Sequence, residues 1–220
     1  MRVLQLTCLF VIVSGCAGLD QRVVANTIAF FSETYSPNAS VTVVNSDGKK
    51  QESLEFAFYR EKVEDKLVAQ GYEIEADASK ADHLAFLSYR IDDGTSKTAS
   101  IPIIGQTGGG TTYSSGTVTG SSGGSAVYSG TSYEQPTFGV TGNSNYSYTH
   151  FKRVIELTIL DRDSLDNDVS KIIYQSKTMS SGTCNVLGEV FDEMIEAMFT
   201  DFITENGKNR VLKIQGVFDC

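Results

Sequence analysis

The hydropathy pattern predicts an α+β fold: a small, mostly antiparallel sheet with two helices packed on one face, plus a long Gly/Ser/Thr/Tyr-rich insertion. Three observations carry this. Two stretches repeat apolar residues at three- and four-residue steps. Several others alternate or run apolar at strand length. Between them lies a block almost without charge.

Val23 to Phe31 is apolar, and "VTVV" at 41–44 predicts a strand. A helix follows, because Phe56, Tyr59, Val63 and Leu67 recur on one side and leave Arg60, Glu61, Glu64 and Asp65 mostly outside. Ser53, or an earlier polar residue, is placed to start this helix and Gly71 to end it. "ADHLAFLSYRID" at 81–92 carries apolar residues on both faces, which places it centrally in a sheet. "FKRVIELTIL" at 151–160 alternates, with Phe151, Ile155, Leu157 and Ile159 on a face that Arg153 interrupts. "KIIYQSKTM" at 171–179 predicts another strand, joined to the previous one as a hairpin by the acidic turn Asp161–Asp168. Leu187, Val190, Phe191, Met194, Ile195, Met198 and Phe202 form the stripe of a second helix. "SSGT" at 180–183 offers hydroxyls to cap it. "RVLKIQGVF" from Arg210 adds a last short strand.

The insertion, 104–149, sits within a domain spanning 23–220. Between Thr98 and Phe151 there is no Lys or Arg, and Glu134 is the one acid. Gly, Ser and Thr dominate. Two readings fit. One is a floppy loop. The other is an extended β-ribbon, or a loop that orders on a partner, with Tyr113, Tyr128, Tyr133, Tyr146 and Tyr148 making the contacts.

The chain has 220 residues, 40% of them hydrophobic, and a formal net charge of −9. That balance, without a cluster of Lys and Arg, argues against a nucleic-acid partner. Catalytic and metal motifs are weak. "GQTGGG" at 105–110 lacks the Lys-Ser/Thr of a phosphate loop. "DRDSLDND" at 161–168 has Leu165 and Asp166 where a calcium loop needs an oxygen ligand and a glycine. His83 and His150, the two histidines, belong to no ligand or triad pattern. The expectation is no enzyme, no metal and no cofactor.

The start of the chain is informative. Arg2 precedes an apolar run, Val3 to Val13, too short for a bilayer-spanning helix of about 20 residues. Val13-Ser14-Gly15-Cys16 then resembles the bacterial lipobox. That resemblance implies a signal peptide at 1–15, lipidation at Cys16 and a tether over 16–22. Two or three acyl chains hold a protein on a membrane stably. Ala17, in place of the Asp that retains lipoproteins at the inner membrane, favours the outer membrane. In that oxidising compartment Cys184 and Cys220 are candidates for a disulfide that pins the tail; two free thiols are the alternative.

"LVAQGY" at 67–72, "ADHLAFLSYRIDDG" at 81–94 and "IPIIGQTGGG" at 101–110 resemble a bacterial envelope lipoprotein family whose shared domain is domain of unknown function 4136. "FKRVIELTILD" and "SSGT" fit the same pattern. The resemblance implies an α+β envelope lipoprotein without an established reaction, and it transfers no functional residue. The expectation is therefore a lipid-anchored outer-membrane lipoprotein, a non-enzymatic binding or structural module. An envelope protein partner, and a role as accessory subunit of an assembly or secretion complex, follow from the same reading. An unrecognised envelope hydrolase is the alternative of a different class.

Overall fold

The computed structural model describes residues 22–33, 35–48, 51–167, 170–203, 205–216 and 220. The expected signal peptide and Cys16 lie outside them. The described chain divides into two compact units. One holds the residues up to Asp93 and from Phe151 onward; the other is Gly94–His150. Among the described residues there are eight strands: β1 Arg22–Phe31, β2 Ser40–Asn45, β3 Glu73–Ile74, β4 His83–Ile91, β5 Thr95–Thr119, β6 Ser125–Asp161, β7 Ile172–Gly182 and β8 Arg210–Gln215. There are two α-helices, α1 Leu54–Ala69 and α2 Phe191–Phe199.

The sheet differs from the expected one. It is a large mixed sheet of eight strands in the order β3-β2-β4-β6-β7-β1-β8, with β5 pairing to β6 off that path. The small, mostly antiparallel sheet predicted from the sequence is thereby corrected. The physical reason lies in β2, which runs parallel to both β3 and β4, with Val43 opposite Ala85. A parallel pair needs a long crossover, here supplied by α1, and leaves no hairpin signal in the sequence. β1 adds to the size. Its apolar run lies between β7 and β8, antiparallel to both, with Thr27 opposite Thr178 and Arg210. The insertion adds the rest, because it is paired strand throughout much of Gly94–His150.

The core unit builds as local chemistry dictates. Ser53 caps α1, its Oγ accepting from the Phe56 amide at 3.1 Å. Past the C-cap Gln70, Gly71 takes φ +103°, a left-handed turn that favours glycine. Phe56, Tyr59, Val63 and Leu67 of α1 are buried, as are Phe191, Met194, Ile195 and Met198 of α2. They cover one face of the sheet, where alternate residues of β6 and β7 point inward: Ile155, Leu157 and Ile159, then Tyr174, Ser176 and Thr178. Each fully buried apolar side chain contributes about 1.5–3 kcal/mol. The Tyr59 ring stacks on Phe191 with centroids 4.1 Å apart and meets Tyr89 edge-on at 4.6 Å. Burial, then Glu55 and Tyr89, pushes the Tyr59 hydroxyl up to about 12. Two polar groups at the centre of this face satisfy each other, Thr27 Oγ1 lying 2.9 Å from Thr178 Oγ1.

The second helix is shorter than predicted. Leu187–Glu189 forms a 3-10 turn, and Val190, at φ −128°, separates it from α2. The cap expected from "SSGT" is not made: Ser180 to Gly182 belong to β7, and Val190 precedes α2 without a side-chain cap. The acidic segment after β6 does join it to β7, through a 3-10 turn at Arg162–Asn167.

Candidate functional site

The Gly94–His150 unit is a two-stranded antiparallel ribbon, and among the described residues it carries the most exposed aromatic side chains. β5 pairs with β6 from Thr95 opposite His150 to Thr119 opposite Ser125. Thr, Val, Ile and Tyr suit a pleated surface, which is why so glycine-rich a stretch extends into strands. The chain reverses at Gly120–Gly124, where the Gly120 amide donates to the Gly124 carbonyl at 2.7 Å and Gly123 takes φ +83°. At about 3.3 Å per residue, strands of this length reach roughly 80 Å.

Nearest its own two ends the ribbon is amphipathic. The pairs Lys97–Tyr148, Ala99–Tyr146, Ile101–Ser144 and Ile103–Gly142 share one face, apolar but for Lys97, Ser144 and Gly142. The opposite face is mostly hydroxyl and amide: Thr98 opposite Ser147, Ser100 opposite Asn145, then Pro102 opposite Asn143. The pattern follows from the two-residue repeat of a strand. Ile101 is 55% exposed, Ile103 49% and Tyr146 49%. Tyr146 and Tyr148 stack with centroids 5.9 Å apart, and His150 meets Tyr148 edge-on at 6.5 Å. A register shift after Ile103 moves the next apolar pair, Ile104 and Val140, to the other face.

The glycines of "GQTGGG" serve this irregularity. Register shifts fall between Gln106 and Gly108 and between Gly108 and Gly110. Gly109 has φ +73°, and a Cβ there would lie 2.3 Å from the Gln135 carbonyl oxygen. Gln106 Nε2 donates to the carbonyls of Gly108 and Gly109, closing the bulge on itself. The segment is bulged strand, with no helix after it to receive a phosphate.

The five tyrosines singled out in the sequence do not form one patch. Tyr146 and Tyr148 stack as described. Tyr133 and Tyr113 lie further along, paired with Thr111 and Thr131 on a shared face and 70% and 80% exposed. Tyr128 is on the other face and folds its ring over Gly116, where a Cβ would come within 2.8 Å of Cε1. Ile101 and Ile103 were missed as contact residues. The alternation of Ala99, Ile101 and Ile103 with Thr98 and Ser100 is legible, but it precedes the insertion boundary expected at 104.

The remaining candidates belong to the core unit. Cys184, buried, is bonded to Cys220, exposed, with Cα atoms 5.1 Å apart. Asp161 pairs with Lys171 at 3.7 Å, and Arg162 donates to the Ala78 carbonyl, so two residues of the acidic turn are held by neighbouring chain. His83 packs edge-on against Tyr72 at 6.1 Å; burial lowers its pKa against the opposing pull of Asp161 and Asp82. Arg153 is buried at 3% exposure, and its Nε has no hydrogen-bond partner. Its guanidinium lies beside Gly182, where a Cβ would come 2.8 Å from Nη2. Burial pulls its pKa down from the usual arginine range. Among the described residues no group of three His, Cys, Asp or Glu side chains is placed to hold a metal ion.

No family model matches the chain, and no curated protein matches it. Among solved structures it is similar to the crystal structure of a PDZ domain protein from Parabacteroides distasonis ATCC 8503, with a TM-score of 0.43 and 13% identity. That similarity covers 89% of this chain and 39% of the other. The chain thus spans less than half the length of that protein. Similarity at this level leaves function to be argued from the ribbon and the core themselves.

Proposed function

We propose that this chain is a lipid-anchored envelope lipoprotein, held on the outer membrane through Cys16, in which the ribbon is a non-enzymatic contact arm. One observation carries the reading. The ribbon concentrates exposed aromatic and aliphatic side chains, yet none of its residues belongs to the buried core. A segment not needed for the core, but rich in Tyr with little charge, has the composition of a contact surface that orders few side-chain torsions. The sequence at 13–16 supports the anchor.

The test replaces Gly94–His150 by an Asn-Gly turn, joining Asp93 to Phe151. The ladder beneath is ready for this: Asp92 and Lys152 already exchange bonds, at 3.0 Å from the Asp92 amide to the Lys152 carbonyl and 2.8 Å from the Lys152 amide to Asp92 Oδ1. Shortening a loop lowers the closure cost by only ~0.6 kcal/mol per halving, so the core unit is expected to melt near the parent temperature. Parent protein drawn from gently solubilised membranes should bring down a protein that the shortened one does not. Identical sets of captured proteins from a folded, membrane-bound shortened chain would refute the contact arm. Fatty-acid-analogue labelling that persists in Cys16→Ser would refute the anchor.

A further inference from the structure

We infer that Arg153 and Ser180 form a receptor for a small monocarboxylate, at the Phe151–Gly182 end of the β6–β7 pair. The site lies wholly in the core unit and does not depend on the contact-arm reading.

An arginine does not shed its charge in a protein, so a guanidinium taken out of water needs an acceptor. Elsewhere in the core unit that need is met. Arg60 faces Glu64, Arg90 faces Glu156, and Arg162 and Arg210 donate to main-chain carbonyls. Arg153 is more deeply buried than any of these. Its Nε is sealed from solvent without an acceptor. No carboxylate among the described residues offsets the charge, since burial lowers the Arg153 pKa with nothing pulling the other way.

A second group beside it has the same deficit. Ser180 stands directly across from Arg153 in the ladder, is buried, and its Oγ also lacks a partner. Two positions along the same inner face, Thr178 has found one in Thr27. Side chains opposed across a ladder start about 5 Å apart at Cβ. A planar fork of donors and a hydroxyl donor therefore lie side by side with nothing negative to receive them. Buried polar groups left without partners in this way call for a ligand or an ion.

Charge and shape choose the ion. One guanidinium and one neutral hydroxyl balance a single negative charge. A phosphate carries more than one at neutral pH and would leave the excess buried. Chloride balances the charge but offers one centre to a fork. A carboxylate presents two oxygens in one plane, matched to Nε–H and Nη2–H side by side, and keeps a lone pair for Ser180. Gly182 keeps a side chain away from that edge, since a Cβ there would stand 2.8 Å from Nη2. It is itself only half-buried, between exposed Ser181 and Thr183, which gives a small acid its way in.

Thermal melts of the detergent-extracted full chain test this, in sodium acetate against sodium chloride at equal ionic strength and pH 7. The parent's melting temperature should rise saturably with acetate, by about 5–10 °C at a hundredfold excess over the dissociation constant. Arg153→Met fills a similar volume without the charge. In chloride it should melt at or above the parent, because an uncompensated charge is gone, and it should lose the acetate response. Arg153→Lys keeps the charge but not the fork; it should fold and need several-fold more acetate. An equal rise in chloride, or an acetate rise that survives in Arg153→Met, would overturn the receptor, as would no saturable rise at all. So would an Arg153→Met protein that melts well below the parent in chloride, because the charge would then already be satisfied within the fold. Asp219 lies outside the described residues. An acetate response that appears only in Asp219→Asn would also overturn it, since the chain's own carboxylate would then fill the site.

Discussion

Cys220→Ser is the most informative single perturbation of the core unit. Cys184 is 3% exposed and belongs to the core, whereas Cys220 is exposed, so changing Cys220 cuts the bond with the least repacking. The bridge spans a sequence separation of 36 residues, a segment that contains α2 and β8. Chain-entropy bookkeeping for a loop of that length gives about 4 kcal/mol of stabilisation at 25 °C. In a protein of this size 1 kcal/mol moves the melting temperature by about 2–4 °C, so the variant should melt roughly 8–16 °C lower. The loss should be felt first in β8, an edge strand whose ladder partner is β1. Amide exchange should therefore quicken in Arg210–Gln215 before it does in β6 or β7. The assay is a thermal melt with and without reductant, beside thiol alkylation of the unreduced parent. Reduced parent and variant should melt together, and reductant should leave the variant unmoved. A variant that melts within about 3 °C of a parent whose thiols resist alkylation would refute the reasoning, because the cross-link would then not be restricting the unfolded chain.

Two further outcomes follow from the core unit. Ser53→Ala removes the oxygen that accepts from the Phe56 amide and should cost about 1 kcal/mol in urea unfolding, with Ser53→Asp restoring most of it. Burial depresses the His83 pKa in the folded state, so the unfolded chain takes up the proton more readily. The parent should therefore lose stability as pH falls from about 6.5 through the folded value, and His83→Gln should lose less over that window. Parallel pH profiles for the two proteins, measured by urea unfolding, would remove that role for His83.

The first helix was legible because everything that makes it lies within a few residues. The apolar positions Phe56, Tyr59, Val63 and Leu67, the Ser53 cap and the Gly71 stop are local chemistry, and the structure uses each of them. The β6–β7 hairpin was legible for the same reason, since both strands and the acidic turn are contiguous. So was the neutrality of the insertion. Its form was not. Tyr, Thr and Gly are compatible with a loose loop or a strand, and the choice was made by twenty-odd pairings whose register depends on both strands at once.

What the sequence by itself determined, then, was period, punctuation and charge: which segments have one apolar side, where they stop, and that a neutral aromatic block interrupts them. Partnership between distant segments was decided by the tertiary structure. β2 beside β4 in parallel, β1 between β7 and β8, Arg153 buried beside Gly182, and Cys184 bonded to Cys220 are all contacts across long stretches of chain. The physical reason is that a backbone hydrogen-bond ladder accepts almost any side chain. Which strands pair is settled only when the packed face they share excludes the alternatives.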